Sequence, residues 1–196
     1  PGAPQLYGHI ENNILIDTEF GDALSTEQAF ATATHIVEHE FHVQRVTGVT
    51  MEPRSALGSY DAETGLFTLV AGSGGAVRQQ SEIAAVLGID TSEIRVISPD
   101  VGGNFGTRNR VYIEFALVLF AAQKINRPVK FTATRTESFL TDYQGRDLAV
   151  KAELALDRDG RFLALRGENI QNLGAYAAYF WPLRKGLSMM QSVYAI

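Results

Sequence analysis

Short apolar runs alternate with glycine-rich turns along this chain, a pattern that predicts strands and helices in mixed order. Residues 1–24 carry turn formers around one apolar run, Ile14-Leu15-Ile16, and read as a linker leading into an entry strand. Ser25 and Gln28 have capping-box spacing, which predicts a short helix over 26–33. From His35 to Val46 the β-branched and aromatic content favours an extended strand. Met51-Glu52-Pro53-Arg54 must interrupt it, because Pro53 disfavours helical geometry at Glu52 and cannot donate to a ladder.

The next stretch uses one arrangement twice. Leu66–Val70 reads as a strand, Gly72–Gly75 as a glycine turn, and Val77–Leu87 as a helix closed by Gly88. Ile94–Ile97 then reads as a strand, Gly102–Gly106 as a second glycine turn, and Asn109–Lys124 as a longer helix. That helix is apolar almost all round between Ile113 and Ala122, which predicts burial on most sides. Asn126-Arg127-Pro128 ends it, and Val129–Ala133 returns as a strand. Thr134 and Glu137 form a second capping box. Leu148–Leu156 and Phe162–Gly167 flank Asp157-Arg158-Asp159-Gly160, a hairpin signal. The expected fold class is α+β, a mixed sheet with packed helices, and with no linker-like break the chain reads as one compact unit.

Composition narrows the function. The 196 residues include 45% hydrophobic and 20% charged positions, ordinary for a globular protein. A net charge of −5 disfavours a nucleic-acid binder that relies on a basic surface. With no cysteine, neither a disulfide, a cysteine nucleophile nor an iron–sulfur cluster ligated from this chain is available. The most apolar stretch, 115–122, is too short to cross a bilayer, and the start has no basic targeting segment. A chain that opens at Pro1 and stops at Val193-Tyr194-Ala195-Ile196, rich in strand formers, reads as a piece of a longer polypeptide.

The loop Gly102-Gly103-Asn104-Phe105-Gly106 carries the most chemical information. Between a strand and a helix, glycines let the backbone approach a ligand, and the helix N-terminus would favour an anion. No Gly-Lys-Ser/Thr follows, so it is not a Walker loop, and it does not fit Gly-x-Gly-x-x-Gly. A packing turn is the simpler alternative. Gly72–Gly75 would add a second set of amides if the two turns lie side by side. Ser73 is not in a nucleophile elbow. His35-Ile-Val-Glu38-His39 matches an inverted zincin pattern, but zinc chemistry needs a helix there and the residues favour a strand. Glu52-Pro53-Arg54 is either an exposed turn or a device that aims a carboxylate into a cleft.

Taken together, Met51-Glu-Pro-Arg54, Pro99-Asp-Val-Gly-Gly-Asn-Phe-Gly106, Asn126-Arg-Pro-Val-Lys130, Arg135-Thr-Glu-Ser138 and Asn172-Leu-Gly-Ala-Tyr176 resemble the molybdenum hydroxylase family in its large, molybdopterin-binding subunit. Xanthine dehydrogenase, aldehyde oxidase and aerobic carbon monoxide dehydrogenase are members. The match is colinear over nearly the whole chain. The resemblance implies part of a molybdenum-dependent oxidoreductase, with residues 25–196 forming a partial molybdopterin-binding domain. It implies that Gly103, Asn104, Phe105, Gly106 and Gly74 contact a molybdenum–pterin cofactor, as molybdopterin or its cytosine dinucleotide, with Phe105 and Asn109 at the substrate pocket.

Two positions depart from the family pattern. Asn109 stands where xanthine-oxidising members place a glutamate, and Gly74 where a glutamine usually contacts a molybdenum oxo ligand. The family's catalytic base falls beyond this chain, so no catalytic residue and no metal ligand is expected within it, and the chain alone is expected to lack the cofactor and activity. The implied partners are the rest of the large subunit and iron–sulfur and flavin subunits or domains, in a cytoplasmic homo-oligomer without nucleic acid or a membrane span. The alternative is a non-catalytic binding or assembly domain that kept the fold.

Overall fold

A computed structural model describes residues 3–178, 180–190 and 192–194. The chain divides into two compact units, not the single one expected: residues 47–144, and residues 1–46 with 145–196, so the second unit is assembled from both ends of the chain and leaves no linker to read in the sequence.

The 47–144 unit is built on four strands, β2 (Ser55–Tyr60), β3 (Phe67–Ala71), β4 (Ile94–Ile97) and β5 (Val129–Thr132), in the order β4-β3-β2-β5. β3 and β4 run parallel, joined by helix α2 (Ala76–Leu87), whereas β2 is antiparallel to β3 and β5. The sheet is therefore mixed, as the sequence predicts. Phe67, Leu69 and Ala71 alternate inward along β3 and meet Ile83, Ala84, Phe115 and Leu119 in one core. Phe115 and Leu119 come from α3 (Ile113–Ile125), which packs across β2. Gly58 makes that approach possible: a Cβ there would lie 2.8 Å from the Val118 backbone carbon. Gly88 and Asn126 end α2 and α3 in left-handed conformations, and Thr134 with Glu137 caps α4 (Arg135–Thr141) reciprocally.

The longer helix begins later than its sequence suggests. Residues 107–112 are not helical, and α3 starts only at Ile113, with Tyr112 as its N-cap. The α3 dipole therefore does not act on the Gly102–Gly106 loop.

In the other unit, β1 (His35–Val43), β6 (Leu148–Leu156) and β7 (Phe162–Gln171) form an antiparallel sheet in the order β1-β6-β7. The β6–β7 hairpin turns through Asp157–Gly160, where the Asp157 carboxylate accepts the N–H groups of Asp159 and Arg161. Helix α1 (Ala23–Thr32) covers β7 and buries Phe30 against Ala155 and Ala164. Arg166 lies over the Phe30 ring at 4.1 Å and grips Glu153 with two bonds of 2.8 and 3.0 Å.

Two local expectations fail here. The cap of α1 is Asp22, which accepts the Ser25 N–H, not Ser25 itself, and the helix starts three residues early. Ile14-Leu15-Ile16 forms no strand because no partner strand pairs with it. A helix not foreseen, α5 (Trp181–Ser188), follows β7. Of the final stretch 193–196, Ala195 and Ile196 lie outside the described residues. No helix among the described residues is long and apolar enough to cross a membrane.

Candidate cofactor site

Parallel strands β3 and β4 deliver both glycine turns to the same end of the 47–144 sheet, at their carboxyl ends. Open sheets commonly bind ligands at such an end. The first turn is bonded to residues on either side of the second: Gly74 N–H donates to the Arg108 carbonyl at 3.1 Å, and Ser73 N–H donates to Ser98 Oγ at 3.0 Å.

The second turn has the backbone of an anion cradle. Gly103, Phe105 and Gly106 all have positive φ, at 111°, 48° and 90°. Backbone reversals of this kind can gather successive amides towards an anion. The N–H groups of Gly103, Asn104, Phe105 and Gly106 have no protein partner among the described residues. Phe105 adopts this conformation at a cost of about 1–2 kcal/mol, and its ring is 78% exposed. A Cβ on Gly103 would press on Thr50 at 3.2 Å and on the Phe105 ring at 3.1 Å. Packing alone would not select an exposed, strained aromatic residue; a ligand-facing loop accounts for it.

The helix end that does face this region belongs to α2. Its N-cap is Gly75, with no side-chain cap, so the first amides of the helix remain available beside Gly74.

The loop is held from behind by long-range bonds from Glu52, which the sequence singles out, and from Arg108 and Arg135, which local pattern does not reveal. Glu52 Oε2 accepts the Gly102 N–H at 2.6 Å, while Glu52 N–H donates to the Gly102 carbonyl at 3.2 Å. Arg108, 1% exposed, donates from Nη2 to Thr50 Oγ1 at 2.8 Å and to the Glu52 carbonyl. Arg135 donates to the carbonyls of Thr50 and Met51 at 2.7 and 2.6 Å. Of the two sequence readings of Glu52, the structure favours a positioned carboxylate, aimed at the loop backbone.

A second layer supports this strap. Arg54, 1% exposed, pairs with Asp142 and with Glu114 at 2.7 Å, and stacks 4.2 Å above the Tyr112 ring. Tyr112 hydroxyl donates to the Thr107 carbonyl at 2.7 Å, and burial pushes its phenol well above the ordinary tyrosine value. The loop, the Met51–Arg54 segment and α4 thus form one bonded assembly. The motifs from 51–54, 99–106 and 135–138 meet there.

Asn104 and Asn109 lie across Gly74. Asn104 Nδ2 donates to Asn109 Oδ1 at 2.9 Å, and a Cβ at residue 74 would fall 1.9 Å from that oxygen. His35 and His39, in contrast, lie on the exposed strand β1 rather than on a helix. Among the described residues, no group of three or more His, Cys, Asp or Glu is placed to hold a metal ion.

Comparison with known proteins decides the family. A model of the molybdopterin cofactor-binding domain matches residues 6–196. The chain belongs to the molybdopterin cofactor-binding domain family. The chain is 32% identical over 169 residues to the gamma subunit of the 6-hydroxypseudooxynicotine dehydrogenase complex of Paenarthrobacter nicotinovorans, covering 86% of this chain and 21% of that protein. It is 30% identical to the carbon monoxide dehydrogenase large chain of Hydrogenophaga pseudoflava, covering 84% of this chain and 20% of that one. Among solved structures it is similar to quinoline 2-oxidoreductase from Pseudomonas putida 86, with a TM-score of 0.71 and 32% identity over 76% of this chain and 19% of the other. The chain thus spans about a fifth of the length of these relatives.

The family's group is a molybdenum–pterin cofactor, and the residues fit it. Four consecutive unpartnered amides and an uncapped helix end suit the anionic groups of such a molecule.

Proposed function

We propose that this chain forms the first part of the cofactor-binding region of a molybdenum-dependent hydroxylase or dehydrogenase large subunit. The run of unpartnered amides from Gly103 to Gly106, at the carboxyl ends of two parallel strands, carries this reading. When bound, the molybdenum–pterin group supplies the redox centre of the reaction. The chain's own residues bind and orient. Amides 103–106 and the first amides of α2 take acceptor atoms of the cofactor, as molybdopterin or its cytosine dinucleotide. Gly74 leaves room for the Asn104–Asn109 side-chain pair beside the loop. Phe105, rigidly presented by its backbone, walls the substrate pocket, and Asn109 lies beside it. Glu52, Arg108 and Arg135 fix the loop from behind.

The catalytic base belongs to the remainder of the large subunit, and electrons leave through iron–sulfur and flavin subunits or domains. In this reading residues 1–24 lead into a partial molybdopterin-binding domain over 25–196, and the assembled homo-oligomer works in the cytoplasm. Gly74 gives the second reading its support: a glycine offers no side-chain donor, as expected of a binding or assembly domain without catalysis.

The test is a dye-reduction assay on the full-length protein, produced in a host that makes the cofactor, with aldehyde, N-heterocycle, purine and carbon monoxide as substrates. Reduction with any of these supports an enzyme. A molybdenum-loaded protein that reduces dye with none of them supports the non-catalytic reading. The 196-residue chain alone is expected to hold no molybdenum, because a dinucleotide cofactor is long and two turns satisfy only part of it.

A further inference from the structure

Gly74 and the Asn104–Asn109 pair occupy one place. The site of a Cβ at residue 74 lies 1.9 Å from Asn109 Oδ1 and 2.4 Å from Asn104 Nδ2, closer than any two such atoms come. A side chain at 74 and this carboxamide pair are therefore mutually exclusive. The glycine is a condition for the pair.

The orientation of the pair follows from one backbone group. Arg108 N–H donates to Asn104 at 3.0 Å, and a backbone N–H can only donate, so the Asn104 atom facing it is the oxygen. Asn104 then turns its Nδ2 towards Asn109, which must answer with Oδ1 at 2.9 Å. Asn109 is left with its N–H₂ group pointing away from the pair. That nitrogen has no protein partner among the described residues and is not fully buried. Asn109 is also anchored through its own N–H, which donates to the Gly106 carbonyl at 3.3 Å. An oriented amide donor thus stands above Gly74, on the last turn of the same loop whose amides 103–106 are unpartnered.

We propose that Asn109 carries the side-chain amide donor of this site, directed at an acceptor atom of the bound cofactor, and that Gly74 and Asn104 exist to hold it there. Asn104 is the positioning residue and Gly74 supplies the space. The glycine at 74 then marks a relocated donor and not a lost one. This inference rests on the cofactor-binding reading above.

Asn109→Asp separates the donor from its packing. Aspartate has the same shape and still accepts from Asn104 Nδ2, so only the outward N–H₂ changes, to a negatively charged oxygen. The full-length Asn109→Asp protein is expected to melt within about 3 °C of wild type. It is expected to retain about a tenth or less of the wild-type molybdenum and pterin, because a donor becomes a charge facing an anionic ligand. Gly74→Ala, whose Cβ meets the Asn109 and Asn104 side chains first, should fold and lose cofactor in the same way. The readouts are metal content by mass spectrometry, released pterin by fluorescence, and thermal melting. If wild type loads and Asn109→Asp loads equally, the donor assignment is overturned while the cofactor reading stands. If wild type itself takes up no molybdenum in a cofactor-producing host, the cofactor reading fails and the donor role falls with it.

Discussion

Glu52 holds Gly102 at both of its backbone polar groups: its carboxylate takes the Gly102 N–H at 2.6 Å and its own N–H reaches the Gly102 carbonyl at 3.2 Å. Two segments fifty residues apart are thereby registered like a short ladder, with the first glycine of the cradle fixed in place. Glu52→Ala leaves the Gly102 N–H without its charged acceptor and should cost about 1–3 kcal/mol. Glu52→Gln keeps an acceptor oxygen and should recover more than half of that. Urea denaturation of the full-length protein measures both, and equal losses would show that the carboxylate bond is not what registers the loop.

Arg54 sits between the buried Asp142 and the partly exposed Glu114, above the Tyr112 ring. Removing it strands Asp142, whose side chain is as buried as that of Arg54. Arg54→Met should destabilise by about 3–5 kcal/mol, the typical loss when one member of a buried pair is deleted. Adding Asp142→Asn and Glu114→Gln to Arg54→Met should restore part of this, because the uncompensated charges are then gone. No restoration in the triple variant would mean that packing against Tyr112, not charge, dominates.

Phe105 holds a left-handed backbone at φ 48° with its ring exposed. Phe105→Gly removes that strain, worth about 1–2 kcal/mol, and adds about 0.5–1 kcal/mol of chain entropy to the unfolded state. The variant should be as stable as wild type or slightly more so. Its substrate KM should rise, since the pocket wall is lost. A clear loss of stability in thermal melting would show that the ring supports the fold.

Glu82 on α2 receives Arg78 at 2.9 Å and Arg110 at 2.8 Å. Burial pushes its carboxyl up, but bonds from the two arginines and from the Val111 N–H outweigh this and hold it below the ordinary value of 4.5. Its contribution to stability is therefore present in full above pH 4.5 and fades as the pH falls through the depressed folded-state value. Wild type should exceed Glu82→Gln in stability at pH 7, with the gap closing in urea titrations carried towards pH 3. A gap that stays constant over that range would contradict the assignment.

Features that local chemistry decides were legible in the sequence. Gly88 and Asn126 stop helices, Thr134 and Glu137 start one, and Asp157–Gly160 turns a hairpin, each through bonds within a few residues. The start of α3 was not legible. Arg108 is drawn inward to Thr50 and Glu52, and this long-range clamp keeps residues 107–112 out of the helix that follows them. Asp22 outcompetes Ser25 as the α1 cap, and both are strong cap residues only three positions apart. At the site, the loop 102–106 stood out because its glycines fall between a strand and a helix, where backbone can approach a ligand closely. Its supports, Arg108 and Arg135, act across 56 to 85 residues and leave no local trace. The Asn104–Asn109 pair was equally hidden, since its meaning depends on the absence of a side chain at residue 74.

The account depends above all on the cradle amides taking the cofactor, and Gly106→Val tests this most directly. Gly106 has φ 90°, which a β-branched residue resists, so valine would turn the amides of the loop away from their shared concavity. The measurement is molybdenum per full-length protein by mass spectrometry, in preparations whose circular dichroism matches wild type. The account predicts near-stoichiometric molybdenum in wild type and little or none in folded Gly106→Val. Normal molybdenum in folded Gly106→Val would contradict it.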